Sequence, residues 1–142
     1  MYAILSSPLF IGADVRSLSA EALAIYSAKE IIDVNQDPLG APPLRLWRDV
    51  RYSQEEESGH VEAWGKQLHA PNQCAVVILN RATVSAKVSM PWSRLAALGP
   101  RWANVVDPEV RDLRRKVSLG HMETAIKVTL KAHASIILRV TL

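Results

Sequence analysis

The spacing of polar and apolar positions changes partway along this chain, near residue 40. Before that point the pattern is one compact apolar run followed by short helical stretches. Leu9-Phe10-Ile11 lies between Pro8 and Gly12, and a short apolar run bounded by such residues predicts a buried strand. Pro8 also holds the residue before it out of helical geometry. Ser17 or Ser19 then offers a hydroxyl to an otherwise unpaired amide of a first helical turn. Glu21 suits the positive end of that helix's dipole. A helix is predicted over Ala20 to Ser27, with Leu23 and Tyr26 on one face, and a second short turn of helix over Ala28 to Asp33, carrying Ile31 and Ile32. Pro38 lacks the amide donor that would let the helix continue. Asp37-Pro38-Leu39-Gly40 reads as a turn and Ala41-Pro42-Pro43 as a stiff linker.

Beyond the linker the period of two takes over. Leu44, Leu46 and Val50 begin a strand-like region, and His60 to Trp64 alternates as a half-buried strand does. Gln54 to Gly59 reads as an acidic, solvated hairpin tip. Cys74 to Asn80 is the strongest strand, with an apolar centre. Val84 to Met90 alternates again close behind it, which predicts a hairpin between the two. Pro91 to Leu98 predicts one short helix closed by Gly99-Pro100. Ala103 to Val106 and Val110 to Leu113 read as short strands around Asp107-Pro108. Ala125 to Lys131 and Ser135 to Leu142 predict a second hairpin. The fold class is therefore mainly β, with roughly eight short strands after residue 43 forming an antiparallel sandwich.

Composition narrows the classes without choosing among them. Apolar residues make up 49% of the chain, enough for a packed core and too many for disorder. Basic residues exceed acidic ones by 17 − 14 = 3. That excess is too small and too dispersed to argue for a nucleic-acid partner. No apolar run approaches the roughly 20 residues of a membrane-spanning helix, and the start of the chain has no basic leader of the kind that precedes a signal peptide. The single cysteine, Cys74, cannot close an internal disulfide and is expected to be a buried thiol.

The search for chemistry finds few candidates. There is no glycine-rich phosphate loop and no pair of histidines at metal-ligand spacing, so no cofactor is implied. The four histidines fall on separate predicted elements. No Gly-x-Ser-x-Gly elbow is present. Asp14 directly follows the predicted strand, the place where barrel enzymes build their active sites. Two structural roles are also open to it: an ion pair with Arg16, or a cap on the following helix. Asp37 is expected to shape its turn through its side chain. The four tryptophans are able to stack on sugar rings. Their scatter over separate elements favours core and edge packing instead.

Several of these stretches resemble the α-galactosidase (melibiase) family of glycoside hydrolases. Pro8-Leu9-Phe10-Ile11-Gly12-Ala13-Asp14-Val15-Arg16 resembles the family's final barrel strand and following loop, and Ser19 to Ser27 its final barrel helix. Lys29-Glu30-Ile31-Ile32-Asp33-Val34-Asn35-Gln36-Asp37-Pro38-Leu39-Gly40 is similar to the family's signature at the exit of the barrel. Val61-Glu62-Ala63-Trp64, Ala75 to Arg81, Val110 to Leu113 and Ala132 to Ser135 look like strands of its C-terminal β-domain, more loosely matched.

The resemblance implies that residues 1–40 are the last strand–helix unit of a (β/α)₈ barrel of about 250 residues, and that 41–142 form the appended sandwich. It places Asp14 and Arg16 near the substrate, an α-galactoside. The family's catalytic aspartates, a nucleophile and an acid/base, belong to earlier barrel strands whose motifs have no counterpart here. The chain alone is therefore expected to be inactive, with the missing barrel domain as its principal partner. The resemblance further implies a secreted, lysosomal or vacuolar parent. One strand–helix unit cannot close a barrel, so residues 1–40 should be marginal by themselves or dock on the sandwich in a non-barrel way. The alternative class is a stand-alone sandwich that binds carbohydrate or another protein.

Overall fold

The computed structural model describes residues 1–50 and 59–142. Most of the acidic tip expected at Gln54 to Gly59 lies outside the described residues. A single 3-10 turn, Val15–Ser17, precedes two short helices, α1 (Ala20–Tyr26) and α2 (Lys29–Asn35). Among the described residues eight strands follow: β1 (Leu44–Asp49), β2 (Val61–Gln67), β3 (Gln73–Asn80), β4 (Ala86–Pro91), β5 (Glu109–Asp112), β6 (Val117–His121), β7 (Ala125–Leu130) and β8 (Ser135–Thr141). A 3-10 segment, Trp92–Leu98, joins β4 to the loop before β5.

Among the described residues all strand pairing is antiparallel. Six strands form one sheet in the order β1-β2-β3-β8-β5-β6, and β4 and β7 form a second. The mainly β class and antiparallel sandwich expected from the alternating pattern are what the chain adopts.

The two expected hairpins are not hairpins. β3 pairs with β2 and β8, from Gln73 opposite Thr141 to Leu79 opposite Ser135. β4 pairs instead with β7, from Ala86 opposite Leu130 to Pro91 opposite Ala125. Both the β3–β4 and β7–β8 connections thus cross from one sheet to the other. Asn80 supplies the physical reason. Its buried side-chain amide donates to the carbonyls of Val84 (2.8 Å), Leu130 (3.2 Å) and Lys131 (2.9 Å), and its oxygen accepts from the Ala82 amide (3.0 Å). One side chain therefore ties both crossings together at a corner. The backbone adds Asn80 N to Ala134 O and His133 N to Ala82 O. Gly59 closes over the same corner at φ +118°, where an added Cβ would meet the Ala82 Cα at 2.7 Å.

Alternation along β3 sends side chains to two separate cores. Cys74, Val76 and Ile78 point between the sheets, where they join Val88, Met90 and Ile126 of the small sheet and Trp92, Leu95 and Trp102 of the connecting segments. Ala75 and Val77 face the other way, into a second cluster with Ile4, Val34, Leu68 and Leu113. That outer cluster is roofed by α2 and the N-terminal turn, so β3 is buried on both faces. This accounts for the continuous apolar run in β3, since a strand covered on both sides has no polar face to show.

Three local expectations differ from the structure. Leu9-Phe10-Ile11 carries no strand pairing and is exposed, with Phe10 88% accessible. Its apolar side chains find no sheet within this chain to join. Ala103 to Val106 is irregular and leaves Val106 exposed. Val117–His121, to which the pattern assigned no element, is the edge strand β6.

Candidate functional site

The residues with the best claim to chemistry lie just after the exposed apolar run. Asp14 takes extended geometry before the 3-10 turn Val15–Ser17 and caps it, accepting from the Arg16 amide at 3.0 Å. The Arg16 side chain then closes on the same carboxylate, with Nε to Oδ1 at 3.0 Å and Nη2 to Oδ2 at 2.9 Å. Two parallel charge-assisted bonds of this kind fix orientation as well as charge. The side-chain and backbone donors of Arg16 hold the Asp14 carboxyl below the usual carboxylate range, so it is an anion at neutral pH. Arg16 is 86% exposed and Asp14 48% exposed. The structure brings the two together and realises both structural roles open to Asp14, except that the cap belongs to the 3-10 turn. Helix α1 is capped by Ser19, whose Oγ accepts from Ala22 N.

A carboxylate engaged by three donors and facing water keeps lone pairs that can accept from hydroxyl or cationic groups. Being always ionised, it is poorly suited to serve as a general acid near neutral pH. Double displacement at a sugar carbon needs two carboxyl groups about 5–5.5 Å apart, one of them protonated.

Asp37 acts as the turn chemistry requires. Its Oδ1 accepts from Leu39 N within the turn, and both oxygens accept from His69 N across the structure, at 2.9 and 3.0 Å. It therefore pins the linker to the β2–β3 turn. The tryptophans are packed: Trp92 and Trp102 are buried in the inter-sheet core, Trp47 packs against it, and Trp64 packs on the outer cluster. Trp92 Nε1 donates to Met122 O at 2.6 Å. Trp47 and Trp64 remain partly exposed. The histidines make separate local contacts, His60 beside Glu62 and His121 on the Asp107 carbonyl. No group of three or more metal-ligating side chains assembles among the described residues. Cys74 is a buried free thiol whose ionisation is pushed well up by desolvation.

The polar residues that position this region were not singled out by pattern. Glu30 on α2 forms a bidentate pair with Arg111 of β5, Oε2 to Nε at 2.7 Å and Oε1 to Nη2 at 2.8 Å, with Arg139 of β8 at 3.9 Å. Lys66, wholly buried on β2, donates to Ser6 Oγ at 2.7 Å. Buried Asn35 donates to the Ser7 carbonyl at 2.8 Å. The signal for Glu30 was present in helical spacing. The Lys29–Asp33 pair at i,i+4 marks the solvent side of α2, which leaves Glu30, Ile31 and Val34 for the sheet. Between α1, α2 and the sheet runs a groove of about 370 Å³, lined by Ala24, Ile25, Ile31 and Ile137 with Arg114 among its polar residues.

Comparison with known proteins gives this architecture a family. Residues 58–140 match the model described as the alpha galactosidase C-terminal beta sandwich domain. Alpha-galactosidase 5 of Saccharomyces cerevisiae is 41% identical over 86 residues, covering 60% of this chain and 18% of its own. Alpha-galactosidase 1 of the same yeast is 31% identical over 149 residues, covering 92% of this chain and 31% of its own. The crystal structure of alpha-galactosidase I from Mortierella vinacea superposes with a TM-score of 0.80 at 30% identity, over 98% of this chain and 33% of that one. The chain thus spans 18% and 31% of the length of these two curated relatives. By its β-domain, and by the agreement of nearly its whole length with a third of an alpha-galactosidase, the chain belongs to the alpha-galactosidase family whose members carry this C-terminal β-sandwich.

Proposed function

We propose that this chain is the C-terminal part of a retaining α-galactosidase that removes terminal α-galactosyl groups. In this reading residues 1–40 are the last strand–helix unit of its (β/α)₈ barrel and 41–142 its sandwich domain. The single observation that carries the proposal is the superposition of 98% of the chain, helices and sandwich together, on one third of an alpha-galactosidase. Asp14 and Arg16 then sit at the C-terminal end of a barrel strand, the face where such enzymes bind substrate. As an ionised pair they hold and orient sugar hydroxyls and take no part as acid or nucleophile. The two catalytic carboxylates belong to barrel strands outside this chain, and the sandwich supports the barrel without touching the sugar.

The reading predicts that purified 1–142 does not hydrolyse an aryl α-galactoside, and that galactose or melibiose leaves its tryptophan fluorescence flat. Robust turnover abolished by Asp14→Asn would overturn it. A saturable fluorescence change lost on replacing one tryptophan would instead establish the sandwich as a carbohydrate-binding module. Grafting the chain onto the barrel of a yeast relative should restore turnover. Asp14→Asn in that hybrid should raise KM more than it lowers kcat.

A further inference from the structure

Among the described residues Lys66 is the one charged side chain with no exposed surface. It lies opposite Ala75 on β2, on the face of the sheet that α2 and the N-terminal turn cover. Its side-chain hydrogen bond among the described residues goes to Ser6 Oγ at 2.7 Å. A neutral hydroxyl offsets little of the cost of taking an ammonium out of water. A methionine would fill the same space without that cost, and exchanging buried charge for packed apolar side chains is often neutral or stabilising. Stability therefore does not explain the lysine. What an ammonium supplies and a thioether does not is a directed bond that fixes where Ser6 sits.

Ser6 is a place where such a bond matters. Its φ is +51°, in the left-handed region that a non-glycine residue keeps only when its surroundings hold it there. The next residue is held as well: buried Asn35 of α2 donates to the Ser7 carbonyl at 2.8 Å. Pro8 follows, with its own φ fixed and Ser7 confined to extended geometry. Residues 6–8 are thus a stiff lead into the segment 9–13, anchored from the sandwich by Lys66 and from the docked helix by Asn35. Asp14 lies seven residues beyond Ser7, roughly 23 Å along an extended strand. A strand transmits a shift at its base to its tip, and a slip of one residue turns every side chain to the opposite face.

We propose that Lys66 is a positioning residue: by holding Ser6 it sets the register in which residues 8–13 enter the barrel, and so the face and height at which Asp14 and Arg16 meet the sugar. This rests on the glycosidase reading and deepens it. The sandwich then acts on substrate binding without touching substrate, through a buried lysine that it keeps at a cost in stability.

Two measurements test it. In the 142-residue chain, Lys66→Met should leave Tm unchanged or slightly higher. Amide hydrogen exchange at Ser6 and Ser7, which donate to Ala3 O and Tyr2 O, should nevertheless quicken about three- to tenfold, the scale of one lost hydrogen bond. Unchanged exchange would overturn the inference, as would a large fall in Tm, which would give the lysine a structural role. In the hybrid with a yeast relative's barrel, Lys66→Met should raise KM for an aryl α-galactoside about tenfold with kcat little changed, within the roughly hundredfold that a 1 Å misplacement can cost. Ser6→Gly removes the acceptor without opposing the positive φ. It should raise KM alike, and the double variant should go no further than either single one. Asn80→Ala loosens the opposite end of the β2–β3 ladder; it should lower Tm and leave KM where it was. A KM unmoved by Lys66→Met, or moved equally by Asn80→Ala, would overturn this inference and leave the glycosidase reading standing. A hybrid without turnover before any substitution would remove that reading, and this inference with it.

Discussion

Removing the Asn80 side chain should destabilise this fold more than any other polar substitution in the sandwich. Its amide and carbonyl serve four backbone groups at the corner where both sheet crossings meet. Asn80→Ala leaves all four without that partner. The bonds to Leu130 O and from Ala82 N are buried, whereas those to Val84 O and Lys131 O are partly buried and can be replaced by water. A buried polar group left unpaired costs about 1–3 kcal/mol, and a replaceable bond about 0.5–1.5 kcal/mol. Two of each, discounted because the Leu130 carbonyl also lies at the end of the β4–β7 ladder, gives a loss of about 3–5 kcal/mol. For a chain of this size that corresponds to a fall in Tm of about 10–17 °C. Asn80→Asp should be at least as damaging, because it presents oxygens to three carbonyls that need donors. Urea unfolding followed by tryptophan fluorescence gives the numbers directly, with an unchanged m value as the check that only stability has moved. A loss below about 1 kcal/mol for Asn80→Ala, or an Asn80→Asp variant distinctly more stable than Asn80→Ala, would refute the claim that this side chain pins the corner.

Two further outcomes concern the seam between helix α2 and the sheet. Hydrogen bonds from Arg111 hold the Glu30 carboxyl below its ordinary range. A depressed carboxylate contributes stability that is present above its unfolded pKa, about 4.3, and is lost as pH falls through the folded value. Glu30→Gln should therefore lower Tm by a few degrees at neutral pH and converge with the parent chain in acid; thermal melts between neutral pH and pH 3 read this, and a constant gap would contradict it. Lys66 is the opposite case, a cation whose pKa burial depresses, with Asp37 opposing more weakly. Between its folded pKa and the unfolded value of about 10.4 the unfolded chain binds more protons, so stability rises with pH across that window. Lys66→Met should flatten the rise and raise Tm slightly at neutral pH, since Ser6 is exposed and can turn its hydroxyl to water; a fall in stability of more than about 2 kcal/mol, the scale of a lost buried charged hydrogen bond, would show that the bond outweighs the desolvation.

Local structure was legible in the sequence wherever one residue type has one physical role. Ser19 caps α1, Pro38 follows the end of α2, and the alternation of β1, β2, β3, β7 and β8 places strands within a few residues of where they lie. Topology was less legible. A three-residue gap between two apolar or alternating runs reads as a hairpin, yet so short a connection can also arch between sheets. The choice rests on Asn80, whose partners near Leu130 are fifty residues away and leave no mark in the local pattern. Strand β6 escaped because it sits at an edge, half exposed, with Gly120 at positive φ and little alternation. Leu9-Phe10-Ile11 misled in a more informative way. Its apolarity correctly reports a tendency to burial, and the chain supplies nothing to bury it against. Asp14 was singled out by its position after an apolar run, and its pairing with Arg16 was among the roles that position left open.

The same contrast separates the two helices that the sequence treats alike. Both are seven residues long, too short to persist on propensity alone. Helix α1 is capped and carries apolar residues, but it buries nothing. Helix α2 has no side-chain cap, and it places Val34 and Asn35 in buried positions and Glu30 on Arg111. The outer face of the six-stranded sheet presents Ala75, Val77 and Leu113, which would be exposed without a cover. Helix α2 and the N-terminal turn bearing Ile4 are that cover. The expectation that residues 1–40 would be marginal or dock on the sandwich thus resolves by segment. The turn and α2 dock, held by two apolar anchors and the polar ties at Glu30, Asn35 and Lys66, whereas residues 8–27 stand clear. Helix α2 and the N-terminal turn, unlike α1, complete a core that the strands begin.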